Sequence, residues 1–343
     1  MDHWGGGCAG QDNNKQPVKF GASMRAIRIA LAAALALILV DNAIAQLGES
    51  PIRIVLPYPA GGVGDTAARM IADSMRAQLN RTVIVENKPG AAGRLGVQSV
   101  KDAPADGTVL LFTPIAPMAL FPHVYDNLAY DPVKDFQPIS QVGTYDLAMA
   151  VGANVPAKNL KELIEWLEVN PRQAAYGTPA AGSLPHFFAV LFAREAGIEL
   201  RHVAYKGNPQ AVTDLIGGHL PIFFTSTQDL VEAHNTGRIR VLATSGRERS
   251  MVMREVPTFI ESGFNIRGEG WYGVYAPAKT PPRVVSQLNQ AVVEAVRSTE
   301  FAKRLSPLGV QATGTSVEEF AKAGKSDSEL WRPVVKASGF KPE

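Results

Sequence analysis

Short apolar runs alternate with amphipathic stretches along most of this chain. Ile52–Leu56, Val83–Val85 and Val109–Phe112 read as buried strands. Between them, Asp65–Gln78 and Leu95–Lys101 carry apolar residues at helical spacing, with Ala67, Met70, Ile71, Met75 and Leu79 on one face of the first. Strand, helix, strand in this rhythm predicts a parallel sheet with crossover helices. Pro114-Ile-Ala-Pro117 reads as a loop at the carboxyl edge of that sheet, and 121–138 shows no period and reads as irregular wrapping. After the apolar run Leu147–Val151 a second block begins. Helices are expected at Leu160–Glu168, Phe187–Ala196 and Ala211–Gly217, with strands at Ala174–Tyr176, His202–Tyr205, Ile222–Phe224 and Arg240–Ala243. Trp271–Pro277 is a further strand, and Pro282–Val296, Phe301–Leu305 and Val317–Val335 are helices that return to the first block. The runs 147–151 and 271–277 are expected to be the crossings between two α/β lobes. That gives a first lobe from 46–147 and 271–343 and a second from 148–270.

The most informative stretch follows the first strand. Pro57 and Pro59 end it, because proline cannot donate to a ladder. Gly61, Gly62 and Gly64 then form a loop that opens onto a helix, where free N–H groups and the positive end of the helix dipole suit an anion. Two other readings stay open. Gly62-Val-Gly-Asp-Thr-Ala67 fits G-x-G-x-x-A, with Glu86 about twenty residues on, as in a dinucleotide fold. Four residues separate strand from glycine, however, where the nucleotide turn is tight. The loop can also be a plain turn.

The start of the chain sets the compartment. Met24-Arg-Ala-Ile-Arg28 is basic, Ile29–Val40 is apolar, and Ala43-Ile44-Ala45 is a cleavage pattern, which together make a secretory signal peptide. Translation is expected to start at Met24, with cleavage after Ala45 and export to the periplasm. The one cysteine, Cys8, lies ahead of that signal, leaving the mature chain without disulfide, thiol nucleophile or cysteine ligand. Thirty-four basic and 32 acidic residues leave a net charge of +2 and no basic cluster, which argues against nucleic acid. Export also argues against a bound nicotinamide cofactor. There is no G-x-S-x-G elbow and no H-E-x-x-H, and histidines 123, 186, 202, 219 and 234 do not fall at metal-ligand spacing. Neither an enzyme, a metal site nor a cofactor is expected.

Several pieces, taken in order, resemble one family. They are Pro57-Tyr-Pro-Ala-Gly-Gly-Val-Gly-Asp65 with Ala68-Arg69; Glu86-Asn-Lys-Pro-Gly90; Tyr176-Gly-Thr178 with Gly182-Ser183 and His186; His202-Val-Ala-Tyr-Lys-Gly207; Asp214-Leu-Ile-Gly-Gly218; Val256-Pro-Thr258; and Trp271–Pro277. The chain resembles the Bug family of periplasmic solute receptors, the binding components of tripartite tricarboxylate transporters. The resemblance implies a two-lobed clam-shell of the periplasmic-binding-protein type II class. It implies a small carboxylate ligand held by loop amides and hydroxyls, and membrane permease subunits as partners. The protein is expected to be a monomer.

Carried residue by residue, the resemblance gives a ligand set of Tyr58, Gly61, Gly62, Asp65 and Thr66 from the first lobe. From the second it gives Thr178, Ser183, Tyr205, Lys206, Gly207, Thr225 and Ser226. Each has a plainer alternative. Asp65 can cap its helix, Thr178 and Ser183 can satisfy their own loop, Lys206 can be solvated, and Tyr58 can pack beneath the cleft. His186 reads as structural. Where Thr225 stands, family members often carry an aspartate, which disfavours an amino-acid ligand here. Selectivity is expected around Ile115–Met118 and Thr225–Gln228, with hinges near Tyr145–Val151 and Gly270–Val274. An adapter for a sensor kinase is the alternative role, and an exported hydrolase a weaker one.

Overall fold

The computed structural model describes residues 50–342, together with Met1. The start at Met24, the signal peptide, its cleavage point and Cys8 lie outside the described residues. Ten strands are described: β1 (Ile52–Leu56), β2 (Val83–Asn87), β3 (Val109–Pro114), β4 (Phe136–Val151), β5 (Ala175–Thr178), β6 (Arg201–Ala204), β7 (Ile222–Ser226), β8 (Arg240–Thr244), β9 (Glu269–Pro277) and β10 (Val310–Ala312). The helices are α1 (Val63–Leu79), α2 (Arg94–Lys101), α3 (Phe121–Val124), α4 (Leu160–Val169), α5 (Leu184–Ala196), α6 (Asn208–Ile216), α7 (Val231–Asn235), α8 (Pro282–Arg297), α9 (Thr299–Leu305) and α10 (Val317–Ala337).

The strands form two sheets that share β4. In the first, the order is β2-β1-β3-β9-β4, with β10 on the outer side of β4. Its first three strands run parallel, but β9 is antiparallel to both β3 and β4. In the second sheet, the last residues of β4 lie between β8 and β7, both antiparallel to it, and β5 and β6 follow parallel to β7. The change of sheet falls between two consecutive residues. Asp146 still pairs with Glu269 of β9, and Leu147 already pairs with Ser226 of β7. The chain comes back between Thr244 and Glu269. Residues 147–151 and 271–277 are therefore strands within the sheets, and the crossings stand just outside them.

One buried serine ties both crossings. Leu147 N–H donates to Ser245 Oγ at 2.8 Å, Ser245 N–H donates to Leu147 O at 2.9 Å, Gly268 N–H donates to Ser245 O at 3.2 Å, and Ser245 Oγ–H donates to Gly268 O. From Gln46 to Glu343 the chain is one compact unit.

Three departures from the sequence pattern have local causes. β4 begins eleven residues before the apolar run, because Gln137, Ser140, Gln141 and Thr144 sit on a half-polar ladder with shifts at Pro138/Ser140 and Gln141/Gly143. α5 and α6 each begin three residues early, since Pro185 and Pro209 fit the first helical turn, where no N–H is needed. The stretch 114–138 is less irregular than its composition suggests. It holds a helical turn at Ala116–Leu120 and then α3.

Candidate functional site

The register fixes where the loops point. β3 pairs with β9 so that Pro114 meets Tyr272, close to the Glu269 end, and β1 runs parallel to β3. The carboxyl ends of β1 and β3 therefore face the crossing. On the other side, β7 ends at Ser226 opposite Leu147, and β5 and β6 run parallel to it. The loops after β1, β3, β5, β6 and β7 thus converge from two sheets on one junction, the position where open α/β sheets take ligands.

The loop after β1 is built around Asp65. Its Oδ2 accepts from Gly61 N–H at 3.1 Å and Arg69 Nε at 3.0 Å; its Oδ1 accepts from Arg69 Nη2 at 3.0 Å and Asn87 Nδ2 at 3.1 Å. Burial would raise this carboxyl, but Arg69, the Gly61 amide and Asn87 outweigh it and hold it below the usual carboxylate range. Asn87 also donates to Tyr58 O at 3.1 Å, which locks the strand end to the loop. With its four acceptor positions used internally, Asp65 shapes the loop. Thr66 Oγ1 turns back to Gly62 O at 3.3 Å. Gly62 is the N-cap of α1 and offers no side chain to it. The N–H groups of Val63, Gly64 and Asp65 consequently have no partner among the described residues. A Cβ on Gly62 would meet nothing within 4 Å, so these donors stand open.

In the second sheet the predicted residues fall into two groups. Thr178 is fully buried, and its Oγ1 lies 3.0 Å from Ala180 O and 2.7 Å from His202 Nε2. Ser183 donates to Ala180 O at 2.7 Å, so α5 too begins without a side-chain cap. Gly207, at φ +117°, donates to Pro179 O and caps α6, which joins this loop to the one after β6. Tyr205 turns away to Asp214 at 2.8 Å and packs on Phe223, while Lys206 is exposed. Thr225 Oγ1 lies 2.8 Å from Asn208 Oδ1 and 3.0 Å from Asp229 Oδ2, and its single proton serves one at a time. Ser226 ends β7 beside it.

Three tyrosines, an aspartate and a glutamine complete the junction. Tyr145 and Tyr272 pack with ring centres 5.0 Å apart and planes tilted by 37°, and a Cβ on Gly64 would come within 3.0 Å of the Tyr272 ring. Tyr58 lies over Gly93 and donates to Ala92 O at 3.3 Å. Burial raises all three phenols above their ordinary range, with neighbouring tyrosines adding to Tyr58 and Tyr145 and the Asp229 charge adding to Tyr272, so they stay protonated. Facing them from the second sheet is Asp229, whose charge acts on both Tyr145 and Tyr272. Burial pushes Asp229 up to about 6, against the pull of the Thr225 and Ser226 hydroxyls. Gln228 stands beside Tyr272, and its Oε1 is buried without a partner. Gln228 falls in the stretch expected to govern selectivity; Tyr145 and Tyr272 fall in the stretches expected to be hinges, not in the ligand set, and Asp229 does not stand out, being a polar residue between short elements. Ile115 is fully buried and Met118 lies elsewhere, in a groove at the other end of the first sheet.

His186 and His202 stack at 4.0 Å beneath the β5 loop, with His186 Nδ1 accepting from Gly182 N–H. Burial lowers both, His186 to about 3 with His202 adding to it, and His202 to about 4. They are neutral structural side chains. Among the described residues no three His, Cys, Asp or Glu side chains are grouped to hold a metal, and no helix is long and apolar enough to cross a membrane.

A mixed α/β fold with two sheets sharing a junction is that of the two-lobed periplasmic solute-binding proteins. Residues 67–340 match the tripartite tricarboxylate transporter family receptor model, and the chain belongs to that family. Three solved structures are similar. The periplasmic binding protein BugD is 28% identical, covering 86% of this chain and 100% of that one, with a TM-score of 0.75. A Rhodopseudomonas palustris protein with adipate is 27% identical, over 85% and 98%, with a TM-score of 0.78. MatC from the same organism, with bound malate, is 26% identical, over 83% and 98%, with a TM-score of 0.74.

Proposed function

We propose that this protein is the periplasmic receptor of a tripartite transporter, taking up a small carboxylate between its two sheets and delivering it to membrane permease subunits. It binds and releases its solute without transforming it. The observation that carries this reading is the open start of α1. Three backbone donors without partners stand at the positive end of a 17-residue helix, held in place by Asp65 and facing a second sheet. A carboxylate there gains hydrogen bonds worth about 1.5–3 kcal/mol each and a smaller helix-dipole contribution. A few such bonds, less the cost of immobilising the solute, support roughly micromolar binding. The start of α5 supplies further donors from Leu184 and His186. The cleft is bipolar: amide and phenol donors on one side, Asp229 and Gln228 Oε1 as acceptors on the other. Opening and closing would occur at the Ser245 crossing, a hinge motion. The likeness to structures holding adipate and malate supports a carboxylate ligand.

The test is a thermal-shift screen of the purified protein against mono-, di- and tricarboxylates, repeated with Gly62→Phe. The side chain has room at Gly62 and a favourable φ of −82°, so the variant folds while blocking the donors. At least one acid should raise the melting temperature of the native protein, and the variant should not respond. A screen without hits, or an unimpaired variant, removes the basis for the reading.

A further inference from the structure

A second cavity has chemistry of its own. A groove of about 1130 Å³ lies between the 122–138 segment and one face of α10. It belongs to the Phe136 and Pro277 end of the β4–β9 ladder, whereas the cleft belongs to the Asp146 and Glu269 end. Ten strand residues separate Phe136 from Asp146, roughly 30 Å. Its apolar floor includes Met118, Phe136, Phe320 and the ring of Tyr275.

Tyr275 is only 5% exposed, and its hydroxyl makes no hydrogen bond among the described residues. It points at Gly324, in the interior of α10: a Cβ there would meet that hydroxyl at 3.9 Å and nothing else within 4 Å. A glycine inside a helix weakens it, and here no close packing demands one. What the glycine leaves is a gap through which the phenol faces the groove. Lys325, the next residue, is exposed on the same wall and has no carboxylate within ion-pair distance among the described residues. Asp327 acts on Tyr275 through its charge, but its Oδ2 accepts from Trp271 Nε1 at 2.7 Å and it does not line the groove. Asp131 and Asp135 are engaged by Lys134 and Lys101, and Asp126 and Glu329 stand exposed at the rim. The centre thus offers two donors, a phenol O–H and an ammonium, beside an apolar lining. That pairing suits an acceptor carried on an apolar body.

We propose that this groove is a second ligand site, separate from the cleft, for a small aromatic or alicyclic acid. Its ring rests on the apolar lining of the groove, and its anionic group meets the Tyr275 hydroxyl and Lys325 across the Gly324 gap. Burial keeps the phenol protonated, so the donor persists across the physiological pH range.

The probe is 8-anilinonaphthalene-1-sulfonate, an aromatic anion whose fluorescence reports its own binding, titrated into the full protein. Saturable binding of one equivalent is expected. Gly324→Leu fills the gap with a better helix former and should weaken binding at least tenfold, with a melting temperature no lower than that of the parent. Lys325→Gln, a surface change, should weaken it several-fold. Gly62→Phe should leave it unchanged. The absence of saturable binding overturns the proposal, as does an affinity that survives both groove substitutions. Loss of probe binding in the Gly62 variant also overturns it, since that places the probe in the cleft.

Discussion

At the residue scale the junction turns on two aspartates with opposite duties. Asp65 is spent on its own loop: four internal hydrogen bonds, one pair of them from Arg69, set the Gly61–Asp65 backbone in the shape that exposes the α1 donors. Asp65→Asn should lower stability by about 2 kcal/mol and weaken every carboxylate alike, which chemical denaturation and calorimetric titration would measure separately. A variant of native stability and affinity would contradict that role. Asp229 instead keeps its acceptor capacity toward the cleft and is ionised at neutral pH. Its carboxyl reaches the Thr225 hydroxyl from four residues away, so an acid does occupy the neighbourhood of Thr225 even though the position itself is a threonine. This favours a ligand with an ammonium or hydroxyl group besides its carboxylate. Asp229→Asn should then cost such a ligand about 10–100-fold in affinity, the equivalent of one charged hydrogen bond, and leave a plain dicarboxylate little changed. Equal losses for both classes would put Asp229 outside the contact set. The sequence could announce Asp65, because it sits in a glycine loop at a helix start. It could not announce Asp229, since nothing local distinguishes a cleft acid from a solvated one.

At the scale of elements, the glycines of the crossing measure how closely it is packed. A Cβ on Gly270 would fall 2.2 Å from Tyr145 Cζ, and one on Gly246 would fall 2.6 Å from Asp146 Oδ1. Gly270→Ala should therefore push the Tyr145 ring out of its packing against Tyr272. The expected outcome is a loss of roughly 1–3 kcal/mol of stability, as for overpacking elsewhere, with weaker ligand binding. An alanine variant that melts and binds like the parent would show that the ring is free to move. Helices and strands with a clean period were legible in the sequence to within a few residues: β1, α4, β8 and α8 all fall on their apolar runs. β4 was legible only in its last five residues. The eleven before them lie on a sheet beside β9, flanked at their end by β10, so their pattern carries pairing partners rather than a simple apolar face. Tyr205 shows the same limit: it ends a strand at the carboxyl edge, yet its hydroxyl is drawn to Asp214 on α6.

For the whole molecule, acid and base groups oppose each other in a way that pH should expose. Burial raises Asp146, Asp229 and Asp327 to about 6, with Glu269 adding to the first and third while Trp271 restrains Asp327. A raised carboxyl binds its proton more readily when folded, so these three gain stability as pH falls from 6 toward 4. His186 and His202 are lowered, bind protons more readily when unfolded, and lose stability as pH falls below 6.5. His123, lowered by burial and by Arg332, acts in the same direction as these two. The contributions of acids and histidines oppose each other, so the unliganded protein should change little in stability between pH 6.5 and 4.5. His186→Phe should tip the balance, making the protein more stable at pH 5 than at pH 7 in thermal melts. A native protein that collapses steeply over this range would show the histidines to dominate. The same acids matter to motion, because Asp146 and Glu269 meet where the chain changes sheet. Saturating ligand should reduce the radius of gyration in small-angle scattering, and an unchanged value would speak against closure. The two-sheet plan was visible in the sequence because each block repeats strand, small-residue loop and helix. The candidate site between them was visible only as separate loops, since no sequence spacing tells how loops from two sheets come together.

Ser245 gives this arrangement a mechanical character. Its hydroxyl receives from one crossing and gives to the other, so both bonds converge on a single oxygen. In the hinge motion proposed above, a turn about that atom would change the angles of these two bonds more than their lengths, while the backbone bonds of Ser245 to Leu147 and Gly268 hold the two crossings side by side.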